Sequence, residues 1–101
     1  MATTPKILFR GAATTNTATT LYTVPASTTT IVTSIVITNT ASSTGTFTLA
    51  LGGTNLATTV TVGANDSTVL DMKQVLTAAQ TITGGASATT INFHISGVEV
   101  A

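Results

Sequence analysis

Short runs of alternating apolar and polar residues recur along the chain and predict β-strands. In residues 46–51, phenylalanine and leucine take the odd positions, and threonine and alanine take the even ones. Residues 56–62 repeat this pattern, and we expect Val60 and Val62 to point inward. Alternation at every second residue is typical of a strand with one buried face. Turn residues separate such runs at intervals of about 8–14 residues, which predicts an all-β chain, an antiparallel β-sandwich (jelly-roll or Ig-like) of seven to eight short strands.

The most apolar strand, in the middle of the chain, is apolar on both faces. Its odd positions hold Ile31, Ile35 and Ile37, and its even positions hold Val32 and Val36. Such a strand lies centrally in a sheet, or it turns one face to a neighbouring subunit. On the second interpretation Val32 and Val36 are interface residues. We then expect a homo-oligomer, most simply a homotrimer, because closed symmetric assemblies are the rule for such proteins.

Three segments of the second half are less regular. Residues 71–76 fit either the end of a strand or one helical turn capped by Asp71. Residues 81–83 run into two glycines, which predicts a brief edge strand. In the last strand the apolar positions are odd-numbered before Gly97 and even-numbered after it. We therefore predict a β-bulge at Gly97 that returns the later valines to the core.

The N-terminal segment fits two interpretations of a single domain that spans residues 1–101. A short apolar strand at residues 6–10 is followed by a polar stretch at residues 12–20. Residues 1–20 are therefore either the first strand of the sandwich and its loop, or an arm that pairs with a sheet edge of another subunit or of a capsid. The predicted contact residues of the arm are Lys6, Ile7, Phe9 and Arg10.

Composition supports the β class and narrows the function. The chain contains 27 threonines, whose branched side chains suit a pleated surface. It carries three Lys and Arg, three Asp and Glu, and no cysteine. So few cations cannot neutralise a row of phosphates, and we expect no nucleic-acid partner. Disulfides and thiolate metal sites are excluded, and we see neither a secretory signal nor a membrane-spanning run.

Candidate catalytic residues are few and scattered. His94, the single histidine, is predicted to point outward, and a metal site needs three or four ligands. Asp66 fits a turn, and nothing pairs it with Asp71 or Glu99 across a cleft, as glycoside hydrolysis requires. The glycosylation sequon that begins at Asn65 is expected by chance in a chain so rich in serine and threonine. We therefore expect no catalytic, cofactor or metal site, and no enzyme.

Several phrases of the sequence resemble small, Thr- and Ala-rich virion proteins of tailed bacteriophages. These phrases are LYTVPA at residues 21–26, TIVTSIVITNT at 30–40, VLD at 69–71, Lys73, VL at 75–76 and NFHISGVE at 92–99. The resemblance implies a β-sandwich in the virion, either a capsid decoration (cement) protein or a tail or fibre part. It implies the major capsid protein or other virion proteins as partners, assembly in the host cytoplasm, and no catalytic motif.

Two functions follow from that resemblance. The first is a decoration protein on the outside of the head. The alternative is a tail or fibre module that binds a receptor or glycan. Glycan sites usually stack sugars on exposed aromatic rings, and this chain has only three phenylalanines and one tyrosine. Because Phe47 and Phe93 are expected to point inward, the composition favours the decoration protein.

Overall fold

The computed structural model describes residues 3–101, and β-strands make up all of the regular structure in that range. The strands are β1 (Thr3–Ala12), β2 (Thr20–Thr23), β3 (Thr29–Asn39), β4 (Gly45–Leu51), β5 (Thr54–Val62), β6 (Ser67–Leu76), β7 (Thr81–Ala86) and β8 (Ile91–Val100). The predicted all-β class and number of strands are confirmed. No helix in the described range is long and apolar enough to span a membrane.

The strands form two four-stranded antiparallel sheets. Sheet I has the order β1-β8-β3-β6, and sheet II has the order β2-β7-β4-β5. Strand β1 pairs with β8, β2 with β7, β3 with β6, and β4 with β5. This nesting is what results from rolling up one long antiparallel hairpin. It identifies the sandwich as a jelly roll and excludes the Ig-like alternative.

The interior lies between the sheets and is built from both of them. Phe47 of β4 and Phe93 of β8 make an edge-to-face contact, with ring centroids 6.3 Å apart and planes inclined at 74°. The same core cluster contains the buried side chains of Ile35, Ile37, Leu49, Ile82, Ile91 and Ile95. Burial of each such side chain contributes about 1.5–3 kcal/mol. Contact between the sheets is therefore a main source of stability.

Strand β3 changes its inward face part-way along, which the simple alternation did not predict. Its register against β8 shifts between Val32 and Ser34. As a result Val32 is fully buried on the same side as Ile35. Ile31 and Val36 lie on the opposite, outer side and are partly exposed. The predicted grouping of Ile31 with Ile35, and of Val32 with Val36, is wrong.

The predicted bulge at Gly97 is also wrong. Strand β8 keeps its alternation without a break, so that Gly97 and then Glu99 occupy inward positions. Val98 and Val100 remain on the outer side. The register shifts lie instead in the neighbouring strands β1 and β3. The apolar pattern was misleading because an inward position near the end of β8 is filled by a carboxylate.

Two further predictions, which concern strands β6 and β7, are wrong. Residues 71–76 continue strand β6 and form no helical turn. Strand β7 lies in the centre of sheet II, between β2 and β4, and not at an edge. Its glycines allow close approach: a Cβ at Gly85 would lie 2.4 Å from the backbone oxygen of Asn16. Val62 is buried as predicted, whereas Val60 stays 36% exposed because β5 is an edge strand.

The close packing at Gly97 makes a test of this register. A Cβ there would lie 2.5 Å from the carbonyl oxygen of Ile31 and 2.9 Å from Cδ1 of Leu8. We expect Gly97→Ala to destabilise the fold by about 1–3 kcal/mol in urea unfolding, because backbone must move to admit the methyl group. Gly11→Ala is the matched control, since its Cβ would first meet Phe9 at an ordinary 3.6 Å. Equal stabilities of the two variants would contradict the packing described.

Candidate functional site

The outer face of sheet I carries an apolar row that crosses all four strands. Pro5 of β1 lies opposite Val98 of β8, Val98 lies opposite Ile31 of β3, and Ile31 lies opposite Val75 of β6. Directly opposite residues of an antiparallel pair share a face, and Val75 is 60% exposed. The next row along the strands consists of Ile7, Ser96, Ser34 and Asp71, and the row after it consists of Arg10, His94, Val36 and Val69. Sheet I therefore presents one apolar row beside rows in which apolar and polar residues are mixed.

The outer face of sheet II is of a different kind. It is covered by threonines. Some of them alternate with buried residues along their own strand, and the others lie opposite such a threonine on the neighbouring strand. They are Thr20, Thr23, Thr46, Thr48, Thr61, Thr81 and Thr83. Threonine hydroxyls bond water readily, whereas the valines and isoleucine of sheet I do not. The two outer faces of the sandwich thus differ in their affinity for water.

The predicted contact residues of the N-terminal arm lie on β1, at one edge of sheet I. This strand pairs with β8 of its own chain along its whole length. Ile7 is 52% exposed, whereas Phe9 packs partly buried against the core. Arg10 is exposed on the outer face, and Lys6 faces an acid of the same chain. The structure therefore has β1 as the first strand of its own sandwich, and a role in contacts with other chains stays a prediction.

The polar stretch after β1 is fastened to sheet II. The amide of Ala86 donates to the oxygen of Thr14 at 2.8 Å, and the amide of Gly84 donates to the oxygen of Thr19 at 2.9 Å. Within the loop, the amide of Ala18 donates to Oδ1 of Asn16 at 2.9 Å. These bonds make the segment an extension of the sheet edge beside β7. Met1 and Ala2, which the predicted arm includes, lie outside the described residues.

The two other predicted interface residues, Val32 and Val36, lie on opposite sides of strand β3. Val32 has no exposed surface and belongs to the core, so it is not available to another chain. Its place on the outer face is taken by Ile31, as the register shift in β3 requires. Val36 lies on the outer face, between His94 and Val69. The apolar outer face of β3 is thus present, with Ile31 and Val36 as its members.

A polar cluster joins the two sheets beside β1 and β2. The Tyr22 hydroxyl donates to Oε2 of Glu99, and Thr30 Oγ1, 2.9 Å away, donates to the same hydroxyl. Lys6 Nζ lies 3.3 Å from Oε2 of Glu99, the one ion pair among residues 3–101. The Glu99 side chain is 15% exposed. This cluster of Lys6, Tyr22, Thr30 and Glu99, the polar clamp, accounts for the carboxylate at an inward position.

Hydrogen bonding in the clamp shifts two pKa values in opposite directions. The bond from Tyr22 and then the ion pair with Lys6 hold the pKa of Glu99 below its usual value, against the opposing effect of burial. Burial, together with the bond to Glu99, raises the pKa of Tyr22. Each shift favours the protonation state that makes the bond, namely a carboxylate and a neutral phenol. The clamp is therefore a structural link between the two sheets.

The remaining acids and the histidine do not converge. Asp66 lies in the turn before β6, where its Oδ1 accepts from the amide of Ser67 at 2.8 Å. Asp71 lies on the outer side of β6, and His94 lies opposite Arg10. No group of three or more His, Asp or Glu side chains in the described part of the chain is placed to hold a metal ion.

Sequence reasoning missed a groove between the edge strands β5 and β6. It has a volume of about 540 Å³, and its apolar lining includes Leu56, Val60, Leu70 and Met72. Leu56 and Val60 are each more than a third exposed. The signal in the sequence was the set of apolar residues on β6, which the competing helical interpretation obscured.

No protein-family model matches the chain, and no curated protein sequence matches it. Among solved structures, it is similar to a chain of the acidic stable capsid structure of Helicobacter pylori bacteriophage KHP30, with 11% identity, a TM-score of 0.50 and 99% of each chain covered. It is also similar to the Tobacco streak virus coat protein, with 14% identity, a TM-score of 0.46, and 97% of this chain and 81% of that one covered. A pentameric capsid protein from metagenomic phage sequences has 17% identity and a TM-score of 0.41, with 96% of this chain and 59% of that one covered.

The chain has a viral capsid-like jelly-roll fold. At such low identities the likeness concerns the fold alone, and it covers the KHP30 chain from end to end. The predicted resemblance to virion proteins is confirmed at that level.

The polar clamp predicts how stability depends on pH. Because the pKa of Glu99 is lowered by folding, its contribution is complete above its unfolded pKa of about 4.3 and is lost as pH falls through the folded value. Because the pKa of Tyr22 is raised, its contribution is complete below about pH 10 and is lost above it. We expect Glu99→Gln to weaken the fold at pH 7 and to flatten the acid limb of urea-unfolding profiles. Tyr22→Phe should flatten the alkaline limb, and an unchanged acid limb in Glu99→Gln would contradict the assignment.

Removal of residues 1–12 separates the two interpretations of β1. Leu8 of this strand is buried in the core, and Lys6 belongs to the polar clamp. We expect the truncated chain to melt at a much lower temperature or to stay unfolded, as followed by circular dichroism. A truncated chain that folds with wild-type stability would instead support an arm exchanged with another subunit.

Proposed function

We propose that this chain is a non-enzymatic structural protein of a phage virion, a decoration or cement protein on the outside of the head. The observation that carries the proposal is the difference between the two outer faces of the sandwich. Sheet I presents the apolar row that contains Val98, Ile31 and Val75, and sheet II presents threonines. A protein that lies on a particle needs one face for docking and one for solvent.

Charge supports docking by fit and not by electrostatic attraction. The formal net charge of the chain is zero, and the charged residues on the docking face, Arg10, Asp71 and Lys73, are of both signs. Charged interfaces mainly raise association rates and select partners, whereas apolar surface contributes affinity when it is removed from water. A near-neutral block suits a site that is repeated many times over a capsid surface, because neighbouring copies do not repel each other.

The fold and the likeness to a capsid chain add support. Jelly rolls recur in viral capsid proteins, and also in lectins and cupins. The similarity to a chain of the KHP30 capsid extends over the whole of both chains. The proposed partners are the major capsid protein and copies of the chain itself, a homotrimer being the specific expectation. Assembly would take place in the host cytoplasm.

The alternative, a tail or fibre module that binds a receptor or glycan, has less support. Phe47 and Phe93 are buried, and Phe9 packs partly buried against the core. Tyr22 is partly buried, with its hydroxyl bound to Glu99. These four are all of the aromatic residues in the chain. None offers the open ring on which a sugar usually stacks.

Immunogold labelling of purified virions tests the location. Antibody raised against the recombinant chain is applied to particles of the virus that encodes it, and the label is scored by electron microscopy. Label distributed over the heads is the expected result. Label confined to tails or fibres would establish the alternative, and absence of label from intact particles would refute a role on the virion surface.

Substitution on each outer face tests which side docks. Val98→Lys places a charge in the apolar row of sheet I, and Thr83→Lys places the same charge on sheet II as the matched control. We expect Val98→Lys to reduce co-sedimentation with particles that lack the protein by about tenfold, because burying an unpaired charge is costly. Thr83→Lys should bind as the wild type does. The reverse ranking would assign docking to the threonine face.

A further inference from the structure

Among residues 3–101, strand β6 forms one edge of sheet I and has β3 as its sole strand neighbour in that sheet. Its outward side chains, Val69, Asp71, Lys73 and Val75, are all exposed, the two valines by 59% and 60%. An exposed edge strand offers unpaired backbone N–H and C=O groups to another strand. The apolar and charged residues on this edge therefore indicate which strand fits it.

The outward residues of β6 are arranged symmetrically about Met72. Asp71 and Lys73, one residue away on either side, carry opposite charges, and Val69 and Val75, three residues away, are identical. Two antiparallel copies of β6 with Met72 opposite Met72 would place Asp71 opposite Lys73 of the second copy. The valines would be opposite each other in the same way. Opposite charges and branched apolar side chains are favourable cross-strand pairs.

The charges also select this register over its neighbours. A shift of two residues in one direction places Asp71 opposite Asp71 of the second copy. The same shift in the other direction places Lys73 opposite Lys73. Like charges directly opposite each other on a sheet are destabilising. All three of these registers keep the same side of each copy outward, and among them only the one centred on Met72 pairs unlike charges.

The surfaces beside β6 continue across such a contact. On the outer face, Val75 lies next to Ile31 and Val69 lies next to Val36. The pairing of Val75 with Val69 of the second copy would join the apolar row of one sheet to the row of the other sheet that contains Val69 and Val36. On the inner side, Met72 lines the groove between β5 and β6, so that the two grooves would meet at the axis.

We propose that β6 pairs with β6 of a second copy of this chain, antiparallel and about a two-fold axis at Met72. The contact makes one eight-stranded sheet with a continuous outer face. It does not depend on the proposed function in a virion. In an assembly of closed trimers, it would join neighbouring trimers and not form the trimer itself.

Charge exchange tests the pairing in solution. Asp71→Lys brings two lysines opposite each other at both symmetric positions, and Lys73→Asp brings two aspartates opposite each other. We expect each single variant to weaken the dimer by about tenfold or more in sedimentation equilibrium. The double variant D71K/K73D restores unlike pairs and the net charge of zero, and it should regain wild-type affinity. Circular dichroism confirms that all three variants are folded.

Mixing the two single variants gives a sharper result, because D71K and K73D complement each other at both positions. We expect a mixed dimer in native mass spectrometry, with a mass near twice that of the 10.1 kDa chain. The control is T46K/T83K, which gains the same positive charge as D71K but carries it on sheet II. Its β6 edge is that of the wild type, so it makes one unlike and one like pair with K73D and should combine with it more weakly than D71K does.

Three outcomes would overturn the proposal. The first is a wild-type chain that remains monomeric at about 100 μM, far above the dissociation constants of specific complexes; Lys73 would then protect an edge strand from pairing. The second is a double variant that stays as weak as the singles. The third is equal binding of K73D to D71K and to T46K/T83K, which would show general charge attraction without a defined register.

Discussion

The unbroken alternation of β8 is the constraint around which sheet I is arranged. Because Gly97 has no side chain, Leu8 of β1 and the backbone of Ile31 can approach it closely, and both neighbouring strands shift their register beside it. The next inward position of β8 then falls at Glu99. A carboxylate there is tolerable only if it is hydrogen-bonded, and Tyr22 reaches it from the opposite sheet. A glycine and a carboxylate two residues apart thus determine both the packing inside sheet I and a polar link to sheet II.

The same register shift determines what the protein presents to its surroundings. In β3 it moves Val32 into the core and leaves Ile31 and Val36 on the outer face. Without the shift, Ile31 would share the buried side of Ile35, and the outer row of sheet I would lose its central apolar member. Sheet II has no counterpart, because threonine occupies most of the outward positions of its strands. The contrast between the two faces is therefore a consequence of strand register as much as of composition.

Sequence patterns predicted where the strands lie, but they did not predict which strands pair with one another. Clean alternation in β4 and the turn residues between runs predicted the strands well, since both are local features. The jelly-roll order was beyond local patterns because it depends on pairing between distant strands such as β1 and β8. The errors at Val32 and Gly97 both arose because apolar residues were assumed to point inward. In β3 a register shift changes the inward face, and in β8 the inward position holds Glu99 while Val98 and Val100 lie on the outer side. The N-terminal strand and the apolar outer face of β3 were recognised, but the clamp required knowledge that Lys6, Tyr22 and Glu99 meet.

Because charged residues are few in this chain, each ionic group has more effect on the register of strand pairing than it would have on a densely charged surface. On a densely charged sheet edge, one Asp and one Lys would be lost among competing pairs and screened by neighbours. Here Lys6 and Glu99 are already engaged with each other, and Asp71 and Lys73 lie among valines on β6. Apolar contacts alone would tolerate several registers, because valine fits valine at many offsets. A single unlike pair, repeated by symmetry, distinguishes between them at little cost in solvation, because both side chains lie at the surface.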